Sequence, residues 1–277
     1  MTVDQSTADA FAESWNHLSE GSVYTFKQFE DWLSPLGSES FKNKEVLELG
    51  CGNGSLLIHA LSFMPSKLVG VDLGDSVLSA RKNLNKEITN GNVDIVQADL
   101  VDYRGSEFDL VYCIGVLHHL KNPQDGFNSV LENTKKGGKF HVWVYAWEGN
   151  FIVRWFVDPI RKISSRLPWW FTKYLVATPL VLPYFLYAKF IRMLNNIFVS
   201  FKKIGKYLPL YEYSLWISER DFYFFRHVAF DQLVTPSTVY IKRGQIESWL
   251  NDSRIDKDST YIVFRNGNSW KFGGVRK

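Results

Sequence analysis

The residues best spaced for chemistry stand between Glu48 and His119. Glu48 lies two residues ahead of Gly50-Cys51-Gly52-Asn53-Gly54, a glycine-rich turn that closes the apolar run Val46-Leu47-Glu48-Leu49. Glycines at alternate positions permit tight, positive-φ backbone and let a ligand come close to the main chain at the carboxyl end of a strand. An adenosine-containing ligand is expected there. A dinucleotide loop reads GxGxxG and seats a pyrophosphate on the following helix N-terminus, whereas the spacing here is GxGxG. The Glu48 carboxylate would oppose a pyrophosphate but suits a ligand that carries an ammonium group. Some seventy residues on, His118-His119 follows another apolar run. Imidazoles titrate near neutrality and can take a proton from a hydroxyl or ammonium nucleophile.

The elements that must position these groups read as strands alternating with helices, the pattern of a parallel sheet covered on both faces. Strands are predicted at Glu45–Leu49, Leu68–Asp72, Val93–Gln97, Phe108–Cys113 and Lys139–Tyr145, with helical stretches at Ser55–Ser62, Ser76–Lys86 and Pro123–Glu132. Ahead of them, Thr25-Phe26-Lys27-Gln28 is a capping box opening a short helix that Pro35 stops. Behind them, Gln245–Asn251 reads as a helix. Thr260–Asn266 and Ser269–Val275 read as a hairpin turning at Asn266-Gly267-Asn268. The expected division is a helical lid over 1–44, a cofactor-binding core over 45–146, a helical cap and substrate region over 147–240, and a closing helix and hairpin over 241–277.

Glu48–Gly54 resembles motif I of the class I S-adenosylmethionine-dependent methyltransferases. Four further features fall in the same order: Val69-Gly70-Val71-Asp72-Leu73, Gln97-Ala98-Asp99-Leu100, the run from Phe108 through Ile114 and Gly115 to Leu120, and Lys135-Lys136-Gly137-Gly138-Lys139. The family's usual Lys-Pro-Gly-Gly turn has Lys in place of Pro here. The resemblance implies an α/β, Rossmann-like sheet of order 3-2-1-4-5-7-6 with an N-terminal helical lid and a helical cap insertion. It implies S-adenosyl-L-methionine as cofactor, with Glu48, Gly50, Gly52, Asp72, Leu73, Asp99, Leu100 and Ile114 around it. Asp72 would accept from the ribose hydroxyls and Asp99 from the adenine amine. Trp15 and Tyr24 resemble the lid that such enzymes fold over the methionine moiety, with core packing as the alternative.

The acceptor side is less defined by sequence. His119 is the candidate general base, with His227 in reserve; His118, Arg226, Asp231 and Tyr240 are candidate substrate contacts. Each has a packing or surface alternative. The expected activity is methyl transfer to an oxygen or nitrogen of a small acceptor, whether glycan, natural product or lipid-linked. The alternatives are a non-catalytic cofactor-binding protein and a methyltransferase acting on RNA. A nicotinamide oxidoreductase loses on glycine spacing.

Composition sets the outer bounds. The 277 residues carry two cysteines, Cys51 and Cys113, which excludes a disulfide scaffold and a Cys-rich zinc module. No metal site is expected. The opening MTVDQSTADAFAESW carries Asp4, Asp9 and Glu13 where a secretory leader needs an apolar run, so a cytoplasmic location is expected. The net charge of +3 is uneven: 151–211 holds ten basic residues, one acid (Asp158) and fifteen aromatics, so that block is +9 and the rest −6. Three readings stand for it: a cap packed on the core, a surface resting on anionic membrane, and a nucleic-acid site. The last is disfavoured because Cys113-Ile114-Gly115-Val116 stands where many nucleobase amino-methyltransferases carry Asp/Asn-Pro-Pro-Tyr. The charge-free run Tyr174–Ala188, with Pro179 and Pro183 inside, is expected to be too short and broken to span a bilayer. An oligomer is left open.

Overall fold

A computed structural model of the chain describes residues 3–16, 23–198 and 200–277, with their side chains apart from those of 3, 4 and 13–16. Seven strands form one sheet: β1 (Glu45–Leu49), β2 (Lys67–Asp72), β3 (Val93–Gln97), β4 (Phe108–Ile114), β5 (Thr134–Tyr145), β6 (Ile255–Arg265) and β7 (Ser269–Arg276). Their order is β3-β2-β1-β4-β5-β7-β6, as the resemblance implied. The pairs β1–β2, β1–β4, β2–β3 and β4–β5 are parallel. The chain order reverses between β2–β1 and β4, which opens a crevice at the carboxyl ends of β1 and β4. Val46, Leu47 and Leu49 of β1 are wholly buried, as a central strand covered on both faces requires.

The helices begin where the sequence provides caps. In α2 (Phe26–Leu33), the Thr25 hydroxyl accepts from the Gln28 N–H while the Gln28 side chain accepts from the Thr25 N–H, the predicted capping box. Such a cap contributes about 1 kcal/mol. Its apolar face sends Phe29, Trp32 and Leu33 into the core against Val46, Leu56 and Leu57. α3 (Ser55–Ala60) and α4 (Ser76–Asn83) follow β1 and β2; α5 (Asn85–Thr89) extends α4 after a break, and α6 (Pro123–Asn133) precedes β5. β5 begins before the predicted Lys139: Phe108 faces Thr134 and Leu110 faces Lys139, so Lys135–Gly138 is an irregularity within the strand. Gly138 is needed there, since a Cβ would lie 3.0 Å from the Phe108 carbonyl oxygen.

The chain divides into two units. The first holds Met1–Tyr145, Ser237–Val263 and Trp270–Lys277; the second holds Ala146–Pro236 and Phe264–Ser269. The second is helical, and its long helix corrects one expectation. Trp169–Ile197 is continuous through both prolines, and by length and composition it could cross a membrane. A π-helical stretch, Thr172–Ala177, runs directly into Thr178–Ile197, where Pro179 follows it at once and Pro183 lies inside the helix.

Candidate active site

The glycine loop takes the geometry that its residues allow. Gly50, Gly52 and Gly54 have φ of 81°, 53° and 80°, and the N–H groups of Gly50 and Cys51 donate to the Val71 carbonyl. A Cβ at Gly50 would lie 2.3 Å from Val116 Cγ2, so this glycine is fixed by packing between the loops after β1 and β4. A Cβ at Gly52 would meet no protein atom within 4 Å. The loop therefore offers bare main chain at Gly52, as close approach by a ligand requires.

Asp72 ties this loop to the next. Its Oδ2 accepts from the Gly52 N–H at 2.9 Å, and its Oδ1 accepts from the Gly74 N–H and the Ser76 hydroxyl, each at 3.0 Å. These hydrogen bonds, with a further one from the Leu73 N–H, fix the carboxylate at the pocket rim. Burial outweighs these hydrogen bonds and raises the Asp72 carboxyl above its ordinary value. Leu73 follows it, half-buried. On β3's side, Asp99 Oδ1 accepts from the Val101 N–H at 2.8 Å, and Leu100 is buried with its carbonyl accepting from the Ser129 hydroxyl. Ile114 ends β4, also buried.

Glu48 lies beneath the loop, 1% exposed, its Oε2 accepting from the Tyr112 hydroxyl at 3.0 Å. Burial first, and then the nearby Asp72 carboxylate, push its carboxyl up to about 8 against the opposing pull of Tyr112. Burial first, and then the Asp72 and Glu48 carboxylates, hold the Cys51 thiol well above the ordinary range and make it a packing residue.

The two histidines after β4 play different parts. His118 is fully buried, its ring 4.0 Å from that of Tyr145 and tilted 39° to it, and its Nδ1 accepts from the Tyr145 N–H at 3.3 Å. Its basic nitrogen is thus turned into the protein, which corrects the expectation of substrate contact. His119 Nδ1 lies 3.1 Å from the Ser237 carbonyl oxygen and 3.2 Å from Thr238 Oγ1. A carbonyl can only accept, so Nδ1 carries the proton and the ring's basic lone pair sits on Nε2.

α1 (Val3–Asn16) lies across this end of the sheet. Phe11 packs edge-on against His119 at 5.1 Å, and a Cβ at Gly74 would be 2.8 Å from the Ala8 carbonyl oxygen. One helix therefore reaches from the loop after β2 to the loop after β4, as a lid would. Ala8, Phe11 and Ala12 make these contacts; the Trp15 side chain lies outside the described residues. Tyr24 takes the packing alternative, edge-on to Trp32 at 4.6 Å and against the core.

Tyr240 stacks on Tyr145 at 6.5 Å, so His118, His119, Tyr145 and Tyr240 form one aromatic group, with Trp143 5.3 Å from Tyr145. Trp143, Ser237 and Thr238 escaped the sequence reading because nothing local marks them. Arg226, His227 and Asp231 stand together on helix Phe222–Val234 of the second unit. There the His227 Nε2 is 3.3 Å from Asp231 Oδ2, and Arg226 lies over the Tyr174 and Tyr223 rings.

Comparison with known proteins agrees with this geometry. A methyltransferase-domain family matches residues 47–140, the span from β1 into β5. Within that span the chain is thus similar to a methyltransferase domain, consistent with the class I S-adenosylmethionine-dependent fold. Over 152 residues the chain is 30% identical to the ubiquinone biosynthesis O-methyltransferase of Dechloromonas aromatica, covering 50% of this chain and 62% of that one. Over 110 residues it is 30% identical to the tRNA U34 carboxymethyltransferase of a Sulfurovum species, covering 39% and 36%. The chain thus spans less than two thirds of the length of these relatives. The magnesium protoporphyrin IX methyltransferase of Synechocystis, solved with bound S-adenosylhomocysteine, shares the fold at a TM-score of 0.54 and 15% identity, over 96% of this chain and 94% of that one.

S-adenosylmethionine is the cofactor of such a core, and the residues present fit it. Gly52 offers open main chain, Asp72 is held at the pocket rim beside it, and Asp99 and Leu100 stand where the resemblance places the adenine, with Glu48 buried under the loop.

Proposed function

We propose that this chain transfers the sulfonium methyl of S-adenosylmethionine to a hydroxyl of a small acceptor, with His119 as the general base. The observation that carries this reading is the tautomer of His119. The Ser237 carbonyl holds Nδ1–H, which leaves the basic lone pair on Nε2, on a ring that sits under the α1 lid at the carboxyl end of β4.

The cofactor, when bound, supplies an electrophilic methyl, so the chain's own work is to bind, orient, exclude water and move one proton. The glycine loop and Asp72 hold the nucleoside end. The α1 lid shields the site, with Phe11 against the base. His119 Nε2 would take the proton of the acceptor hydroxyl as that oxygen gains the methyl that the bound cofactor would supply, leaving the cofactor as a neutral thioether. A base is needed only for an acceptor that arrives protonated, which a hydroxyl does and a neutral amine does not until after attack. The aromatic group of Trp143, Tyr145 and Tyr240 beside the histidines favours a flat, weakly polar acceptor. An oxygen acceptor also agrees with the name of the O-methyltransferase among the relatives.

The test is release of S-adenosylhomocysteine on incubation with S-adenosylmethionine and a panel of phenols and other hydroxylated small molecules. Turnover with at least one of them, lost in His119→Ala, supports the reading. Tight cofactor binding with no methyl transfer to any acceptor would support a non-catalytic binding protein in its place.

A further inference from the structure

Nineteen of the twenty-four large apolar residues that the described structure leaves exposed belong to the helical second unit, which is about a third of the chain. Scattered exposed apolar residues are ordinary; a concentration of this kind marks an interaction surface. The long helix Trp169–Ile197 shows how it is organised. On one side Val181, Ala188 and Ile191 are buried, and the first two pack with Ile217 and Phe225 of the neighbouring helices. On the other, Leu175, Leu182, Leu186, Phe190, Met193 and Ile197 recur at intervals of seven, four, four, three and four, which places them on one face. Leu186 is 60% exposed and Phe190 53%. A soluble helix would carry charged residues on that face; this one is apolar on both.

Charge narrows the partner. Among the residues of 151–211, Asp158 is the one acid, and it is paired with the buried Arg161 at 2.8 Å. The exposed charges are positive at both ends of the long helix: Lys162 and Arg166 precede it, and Lys202, Lys203 and Lys206 follow it. Exposed Trp155, Trp170 and Tyr207 accompany them, residue types that favour the boundary between lipid and water. A second copy would bring the exposed lysines and arginines at the ends of the helix against their like. A nucleic acid would answer the lysines but not the five aliphatic residues of the stripe, which surround its single ring, Phe190. A bilayer leaflet with anionic headgroups answers both, since apolar side chains enter the acyl boundary while Lys and Arg meet the headgroups.

We infer that the helical unit is a membrane-docking surface, with helix Trp169–Ile197 lying in the plane of an anionic leaflet. It does not cross the bilayer. Midway along the helix Lys189 Nζ donates to the Ser218 and Arg220 carbonyls, at 2.7 and 2.9 Å, and the inner face is occupied by the unit's own helices. The inference does not depend on the methyl-transfer reading.

The test is flotation of the full chain with vesicles of phosphatidylcholine alone and of phosphatidylcholine with about a third phosphatidylglycerol. The chain should float with the anionic vesicles, and at least about tenfold less with neutral ones or at high salt. Leu186→Glu with Phe190→Glu, both exposed, should reduce flotation about tenfold or more, with thermal stability and cofactor binding unchanged. Leu78→Glu, an exposed apolar position of the first unit, should float as the wild type does. Three results would each overturn the inference: a wild type that stays soluble beside anionic vesicles, a double variant that floats undiminished, or a lipid-free dimer that the double variant dissociates.

Discussion

Glu48→Gln separates what the buried acid costs the fold from what it does for the ligand. With its carboxyl pushed up from 4.5 to about 8, Glu48 keeps its proton in the native state over a range where the unfolded chain releases it. The native state then binds more protons, so the free energy of unfolding falls as pH rises from 4.5 through 8. At 1.36 kcal/mol per pH unit the loss is roughly 3 kcal/mol by pH 7 and about 5 kcal/mol above pH 8. Glutamine is of the same size, carries no titrating proton, and its amide oxygen can accept from the Tyr112 hydroxyl as Oε2 does. Urea unfolding of both proteins at pH 4.5, 7 and 9 should show the difference between variant and wild type growing in the variant's favour by about those amounts, with the m-value unchanged. Any constant offset from the new amide cancels in the comparison. Calorimetry supplies the second arm: a cationic ligand favours the ionised acid, so wild-type affinity for S-adenosylmethionine should rise between pH 6.5 and 8.5, and the variant's should not. A stability difference that does not change with pH would refute the reasoning, since it would mean that Glu48 ionises in its native surroundings as it does in water.

Three other expectations follow from the geometry. His119→Ala should lower turnover about a hundredfold or more, with cofactor affinity by calorimetry near wild type; equal turnover would remove His119 from the chemistry. Gly50→Ala should lose about 3 kcal/mol in urea unfolding through overlap with Val116, whereas Gly52→Ala should lose only about 1 kcal/mol from its positive φ yet bind cofactor at least tenfold more weakly. Equal loss of stability in the two would contradict the packing described. His141 is wholly buried between the Tyr261 hydroxyl and the Trp32 carbonyl, and burial holds its ring down to about 3 from 6.5. It stays neutral in the fold while the unfolded chain takes a proton below 6.5, so its contribution is full above pH 6.5 and is lost as pH falls towards 3, about 2 kcal/mol by pH 5. Because Glu48 has the opposite slope between 4.5 and 6.5, the acid limb should be measured with His141→Gln in the Glu48→Gln background, where removal of the histidine should flatten it; a limb that keeps its slope would exclude His141 as the cause.

The glycine loop and the strand ends beside it were legible in the sequence because they are built from short-range geometry. Glycines at alternate positions, an acid at the end of each of the next two strands, and apolar runs of strand length are local requirements, and each leaves its mark within a few residues of where it acts. The sheet order followed from the same marks through the resemblance. The acceptor half was not legible, because it depends on residues distant in sequence. His118 and His119 are adjacent and chemically identical, yet one nitrogen is turned to the Tyr145 N–H and the other ring is set by Ser237 and Thr238, more than a hundred residues away. No spacing rule connects those positions; only the packing of the returning chain on β4 and β5 does.

The helical unit divides in the same way. Its positive charge and aromatic content are properties of composition, and the sequence determined them without any fold. Two prolines in a fifteen-residue run made a broken segment the natural expectation. Tertiary structure decided otherwise: the helix runs through Pro179 and Pro183 after a π-helical stretch, and the fold decided which side of it is spent on packing. Hydrophobicity is counted per residue in a sequence, but burial is assigned per face, and only the folded chain distinguishes the apolar face turned inward from the one left for a partner.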